Sequence, residues 1–101
     1  MENLAFRVTR EERTLRLAGE LDMATAPLLK SALAGLPSEG PVSLDLSELT
    51  FLDSSGLNVL AQYGNSLNGQ GPLVLANVPD PIVSVLEVVG FDALETIVIR
   101  R

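Results

Sequence analysis

The chain reads VSLDLSELTFLDSSGLNVLAQYGNSL over residues 42–67. Its first part alternates apolar and polar residues, which is typical of a strand, and its last part places apolar residues at helical spacing. Asp53-Ser54-Ser55-Gly56 stands between them, and we call these four residues the serine turn. We therefore predict a buried strand, a tight turn and a helix from about Ser55 to Leu67, with hydroxyl groups where the strand passes into the helix.

Composition limits what the chain can bind. A length of 101 residues fits one domain, residues 1–101, and 47% apolar residues support a folded core. The net charge of −6 repels phosphate backbones, so we expect no nucleic-acid partner. No apolar run approaches the roughly 18 residues that cross a bilayer, and Met1–Ala5 lacks the positive start of a signal peptide. We expect no membrane insertion and, by default, a cytoplasmic protein.

The absence of cysteine and histidine from the sequence argues against catalysis. Without cysteine there is no disulfide and no thiol chemistry, and without histidine the commonest general base is missing. A zinc site would have to consist of carboxylates alone, which is unusual. We therefore expect no enzyme, no metal and no cofactor.

Hydrophobic patterns before residue 42 predict a hairpin and a helix. Apolar residues alternate with polar ones in two short segments, at Leu4, Phe6 and Val8 and then at Leu15 and Leu17. This pattern predicts two antiparallel strands joined by a charged turn over residues 10–13. The first helix has Pro27 in its first turn, and Thr25 or Asp22 can cap it. Its buried face is predicted to comprise Leu28, Leu29, Ala32, Leu33 and Leu36.

Patterns after residue 67 predict strand, helix and strand. Residues 73–78 form a continuous apolar run, which is typical of a strand covered on both faces. A deeply packed third helix follows Pro79 and ends at Gly90, and residues 97–99 form the last strand. The predicted order is ββαβαβαβ, an α/β fold with a mixed sheet of five strands covered by helices.

The serine turn has two interpretations. A helix start needs a cap, and Asp or Ser supplies one, so local chemistry alone explains the turn as well as function does. Other features favour function. Gly56 costs on the order of 1 kcal/mol in a helix relative to Ala and leaves the approach to Ser54 open. The apolar arc of the helix, centred on Leu60 and Tyr63, is also about twice as wide as that of an ordinary surface helix. Either this helix is nearly enclosed, or its fringe touches another protein.

Known catalytic patterns are missing around Ser54. The Gly-x-Ser-x-Gly nucleophile elbow is absent, and no histidine can act as its base. The turn also lacks the lysine and the spacing of a phosphate-binding loop. An exposed serine with nothing to activate it is better explained as the substrate of a kinase.

The sequence resembles the STAS domain family, and within it the single-domain bacterial anti-sigma factor antagonists. The resemblance rests on Gly19-Glu20-Leu21-Asp22, on Leu44-Asp45-Leu46 with Phe51, on Asp53-Ser54-Ser55-Gly56-Leu57 and on Leu86 through Phe91. It implies a STAS fold. Family members commonly carry a further C-terminal helix, and we expect it to be absent or truncated in this sequence, which stops at Arg101.

The resemblance also implies a switch. An anti-sigma factor, a Ser/Thr kinase of the histidine-kinase-like ATPase fold, would phosphorylate Ser54, and a PP2C-type phosphatase would restore the hydroxyl. The unphosphorylated form would bind the kinase and free the sigma factor. We predict that partner contacts come from Asp22, Met23, Ala24, Asp53, Ser55, Gly56, Leu57, Asn58 and Val59. Asp22 fits a helix cap equally well. We interpret Ser55 as a cap and Tyr63 as a core residue.

Two other functions compete with the switch. The first is a constitutive interaction module without phosphorylation, as in STAS subunits of lipid-transport ATP-binding-cassette complexes or signalling scaffolds. Many such domains carry Thr or Gly in the turn, so Asp-Ser-Ser-Gly favours the switch. The second is a nucleotide-binding or hydrolysing protein, which the missing phosphate loop disfavours and an ATPase assay tests.

Overall fold

The computed structural model describes residues 6–36, 40–67 and 69–101. Leu4 of the predicted first strand, residues 37–39 after the first helix and residue 68 lie outside these ranges. The elements follow the predicted order: β1 Phe6–Glu11, β2 Thr14–Leu21, α1 Ala26–Ala34, β3 Val42–Leu52, α2 Ser54–Ser66, β4 Leu73–Ala76, α3 Asp80–Val88, a 3-10 turn Phe91–Ala93, and β5 Ile97–Ile99. The charged hairpin turn is shorter than predicted, because β1 continues to Glu11 and leaves only two residues before β2.

The five strands form one mixed sheet in the order β1-β2-β3-β4-β5. β1 pairs with β2 antiparallel, and the other three pairs are parallel. Each parallel crossover moves one strand further in the same direction. Because such crossovers are right-handed, all three helices lie on one face of the sheet. The predicted mixed five-stranded sheet is confirmed, with its helices on a single face.

Burial along the strands agrees with this one-sided layer. The residues that face the helices form the centre of the core and are almost fully buried: Leu15, Leu17, Leu44, Leu46, Leu73, Leu75 and Ile97. The opposite face carries a row of paired residues that are all partly exposed: Thr14, Ser43, Val74 and Val98. The prediction that β4 is covered on both faces is therefore wrong for the described residues. Its apolar run combines a buried face with small apolar residues on the uncovered face.

The third helix is also less enclosed than predicted. Ile82, Val83 and Leu86 are buried, but Val88 is 86% exposed and Val89 is 49% exposed. Val88 falls nearly opposite the buried face at 100° per residue, and Val89 caps the end of the helix. Gly90 ends the helix as predicted, because its φ of +83° reverses the chain in a region that L residues rarely adopt.

Two irregularities lengthen β3 relative to β2. Arg16 pairs with Asp45 but Ala18 pairs with Glu48, so β3 contains one extra residue there, and the register shifts again after Gly19. The Asp45 carboxylate supports the first bulge by accepting a hydrogen bond of 2.9 Å from the Ser47 N–H. Such bulges turn the local side-chain direction. Despite the extra residues, β2 and β3 end side by side, where Leu21 pairs with Leu52. The loops that follow the two strands therefore lie at the same edge of the sheet.

Candidate functional site

The serine turn and the β2–α1 loop lie side by side. Leu21 pairs with Leu52 at the ends of β2 and β3, and the Asp53 N–H donates to the Leu21 carbonyl over 3.2 Å. Because these strands are parallel, both chains leave the sheet at the same edge. Asp22 and Asp53 each begin one of the two loops, so two carboxylates stand at this edge.

Asp53 is the N-cap of α2. Its Oδ1 accepts hydrogen bonds from the N–H groups of Ser55 at 2.9 Å and Gly56 at 3.3 Å. Its carbonyl accepts from the Leu57 N–H at 3.0 Å. The interpretation of Ser55 as the cap is wrong, because Ser55 already lies inside the helix. Ser54 is the first helical residue, and its side chain is exposed and takes no part in the cap.

Gly56 has a structural role that its position in the sequence does not reveal. A Cβ atom at this residue would lie 2.6 Å from Leu21 Cγ and 2.8 Å from Leu52 Cδ1, closer than real contacts allow. Both leucines are buried. The interpretation that Gly56 keeps the approach to Ser54 open is therefore wrong. The missing side chain lets the first turn of α2 rest directly on the ends of β2 and β3.

The β2–α1 loop is held by Asp22 and Thr25. Asp22 Oδ1 accepts from the N–H groups of Ala24 at 2.9 Å and Thr25 at 3.1 Å. The Thr25 hydroxyl, which is 1% exposed, accepts from the Asp22 N–H and donates to the Glu20 carbonyl. Thr25 is the N-cap of α1, but its side chain makes no capping bond. The predicted caps thus organise the loop before the helix, and Met23 projects from it, 78% exposed.

The predicted contact residues differ in how much surface they offer. Met23, Ala24, Ser54 and Asn58 are exposed, while Asp22, Asp53, Ser55 and Val59 are partly exposed. Gly56 and Leu57 are buried against the core and offer little surface. For all nine residues, partner contact stays a prediction.

Sequence reasoning missed two features near the turn. Phe51, close to the end of β3, is 47% exposed, although an aromatic residue in a strand is usually taken as core. A groove also separates α1 from α2, with Tyr63 on its wall. Tyr63 packs partly against the core, as predicted, and also faces this groove. The wide apolar arc of α2 was the signal for the groove, because part of that arc is open.

Comparison with known proteins places the site in context. The family model described as "Mlab, STAS domain" matches residues 4–99. An anti-sigma-B factor antagonist of Listeria monocytogenes is 39% identical over 77 residues, which cover 73% of this chain and 68% of that protein. An anti-sigma factor antagonist from Mycobacterium paratuberculosis has a crystal structure that superposes with a TM-score of 0.75 at 26% identity, over 94% of this chain and 83% of that one.

A different assembly contains the same fold. A chain of the Acinetobacter MlaFEDB complex matches with a TM-score of 0.71 at 20% identity, over 92% of this chain and 99% of that one. At this identity the likeness concerns the fold alone. Within the described residues, no helix is long and apolar enough to cross a bilayer.

Proposed function

This chain belongs to the STAS domain family, and from that premise we propose that it is an anti-sigma factor antagonist controlled by phosphorylation of Ser54. The unphosphorylated form binds an anti-sigma factor, a Ser/Thr kinase of the histidine-kinase-like ATPase fold, and so releases the sigma factor. Phosphorylation ends this binding, and a PP2C-type phosphatase reverses it. We place these steps in the cytoplasm.

The observation that carries the proposal is the exposure of the Ser54 side chain at the first position of α2. Asp53 performs the capping, so the Ser54 hydroxyl is not needed to hold the helix. A kinase can therefore modify it without opening the fold. The family resemblance supports this position for the phosphate, and the relative from Listeria carries the name of an antagonist.

The capping of α2 by Asp53 supports an effect of the phosphate on partner binding and not on the fold. A phosphate adds roughly −1.5 to −2 charges at neutral pH. A helix N-terminus normally favours an anion, but Asp53 already accepts from the first-turn N–H groups of Ser55, Gly56 and Leu57. The phosphate therefore stands beside a carboxylate and extends into solvent, where the partner would bind. A loss of about 100-fold in affinity corresponds to about 2.8 kcal/mol.

The role is binding and not catalysis. No histidine or cysteine exists in the sequence to activate the serine. Asp53, the carboxylate next to Ser54 in the chain, directs Oδ1 to backbone N–H groups of the helix. An exposed Ser54 without a general base of the usual kind beside it supports the role of a phosphate acceptor.

A pull-down from lysate of the source cells tests the switch. The baits are the wild type, Ser54→Ala and Ser54→Asp, with Ser84→Asp as a control that adds the same charge to an exposed serine on α3. We expect an ATPase-fold kinase with Ser54→Ala and with the control, and none with Ser54→Asp. All baits should keep the same far-UV circular dichroism. Global unfolding of Ser54→Asp would contradict the proposal.

One second function has an observation in its favour. The matching family model is described by the name MlaB, and a subunit of a lipid-transport ATP-binding-cassette complex would bind its partners constitutively. In that case all four baits recover the same transporter proteins. Ser54 would then be an ordinary exposed residue at a helix start.

A further inference from the structure

The groove between α1 and α2 is lined by one stripe from each helix. It encloses about 310 Å³ between Lys30, Leu33 and Ala34 of α1 and Val59, Gln62, Tyr63 and Ser66 of α2. Within each helix these residues are three or four positions apart, so they form one continuous row. Leu33 is buried. The volume suits one or two apolar side chains of a partner.

The two helices that line the groove carry almost no charge. The thirteen residues of α2 contain no charged side chain, and the nine of α1 contain only Lys30. By contrast, charged residues make up 20% of the whole chain. A solvated helix normally carries charges on its outer face, whereas the centres of protein interfaces are depleted of them. The outer face of these two helices therefore has the composition of an interface.

Continuity and size connect the groove with Ser54. At a rise of 1.5 Å per residue, Val59 lies about 8 Å along α2 from Ser54 and Ser66 about 18 Å. A stable protein interface covers roughly 800 Å² on each partner, which is a patch about 30 Å across. The exposed part of the serine turn and the β2–α1 loop is only a few residues wide. A partner that covers Ser54 must extend further, and the row along α1 and α2, in which Lys30 is the one charged side chain, is an adjoining surface.

We propose that the anti-sigma partner inserts an apolar side chain into this groove and places a carboxylate against Lys30. This inference rests on the proposed function and adds a second contact to it. Lys30 is the only charged side chain in the row and is exposed, so it selects an acidic neighbour on the partner. Tyr63 lines the groove as well, and burial raises the pKa of its phenol, although nearby Arg13 acts in the opposite direction.

The groove contact and the phosphate control act at different places. The phosphate changes the contact at the N-terminus of α2, while the groove begins more than one helical turn away. The groove sets which kinase is bound, and Ser54 sets whether it is bound. Changes in the groove should therefore weaken capture of the kinase in the Ser54→Ala background, where phosphorylation cannot occur.

The test uses baits that combine Ser54→Ala with a second change. Lys30→Glu reverses the one charge, and Ala34→Phe fills the groove from an exposed position of α1. Ser31→Glu is the matched control, because Ser31 is exposed beside Lys30 and does not line the groove. We expect each groove variant to capture about tenfold less kinase than Ser54→Ala alone. The control with Ser31→Glu should capture as much kinase as Ser54→Ala alone. Circular dichroism should report the same fold for all, since both changed groove positions are exposed.

The outcomes separate the two proposals. If Ser54→Asp loses the kinase while both groove variants retain it like Ser31→Glu, the groove proposal is overturned and the switch stands. If no Ser54 bait recovers an ATPase-fold kinase, the switch fails and the groove proposal fails with it. Light scattering of the pure protein measures its self-association and so tests whether a second copy of the chain occupies the groove. The proposal is also overturned if Lys30→Glu and Ala34→Phe abolish self-association and leave kinase capture unchanged.

Discussion

Replacing Gly56 by alanine tests whether the serine turn is held by close packing. The added Cβ would meet Leu21 Cγ at 2.6 Å, so the helix start or the leucine must move. Overpacking a core costs about 1–3 kcal/mol, and alanine returns about 1 kcal/mol of helix propensity. Leu21 and Leu52 are both buried, so we expect the upper part of the range. The net loss in the free energy of unfolding should be about 2 kcal/mol.

Two other glycines provide matched alanine controls. Gly35 has a φ of −81° and only carbonyl oxygens near its future Cβ, the closest at 3.5 Å. Gly35→Ala should be neutral or stabilise by up to about 1 kcal/mol, because it lowers the entropy of the unfolded chain. Gly64 is tighter, with the Thr96 carbonyl oxygen at 3.2 Å. Its alanine variant should lie between the other two.

Thermal and urea unfolding of the three variants measure this order. For a chain of this size a loss of about 2 kcal/mol lowers Tm by roughly 8–16 °C. If Gly56→Ala unfolds like Gly35→Ala, the leucines have room to adjust, and close packing does not explain the glycine.

Three further changes probe the supports of the site. Asp53→Ala removes the cap of α2 and should lower the free energy of unfolding by about 1 kcal/mol in urea titrations; an unchanged midpoint would contradict the capping role. Burial raises the pKa of Asp45, but hydrogen bonds led by that from Ser47 outweigh it and lower the pKa below 3.8. The ionised Asp45 carboxylate therefore stabilises the folded state at pH values above its pKa in the unfolded chain, and this stabilisation is lost as the pH falls through its pKa in the folded chain. When unfolding is followed from pH 5 downward, the stability of the wild type should fall more steeply than that of Asp45→Asn. Thr25→Val removes the buried hydroxyl that joins the part-buried Glu20 carbonyl to the loop, and differential scanning calorimetry should show a loss of about 1 kcal/mol.

The order of elements could be predicted because it depends on local patterns. Alternating residues in β1 and β2, helical spacing in α1, and Gly90 at the end of α3 each act within a few residues of the chain. The exposed serine at a strand-to-helix turn followed from the same patterns. Sequence reasoning therefore predicted where the serine turn lies in the fold, while its role as a partner site stays a prediction.

What could not be predicted depends on contacts far apart in the chain. Gly56 is explained by Leu21, which is 35 positions earlier in the sequence. Val74 and Ala76 are apolar whether or not a helix covers them, so an apolar run cannot distinguish a one-sided sheet from a two-sided one. The wide apolar arc of α2 left open whether the helix is enclosed or partly uncovered. The answer depends on how α1 and α2 lie together, and no pattern within one helix shows this.

The serine turn separates structural and surface roles residue by residue. Asp53 has an extended backbone, with ψ of −173°, so its side chain folds back to cap the helix, while Gly56 sets how closely the helix meets the sheet. Ser54 lies between them and does neither. Substitutions on either side should therefore lower stability and disturb binding together, whereas changes at Ser54 should alter binding alone. This separation is what a reversible phosphorylation switch needs, because the phosphate can control a partner without a cost in folding.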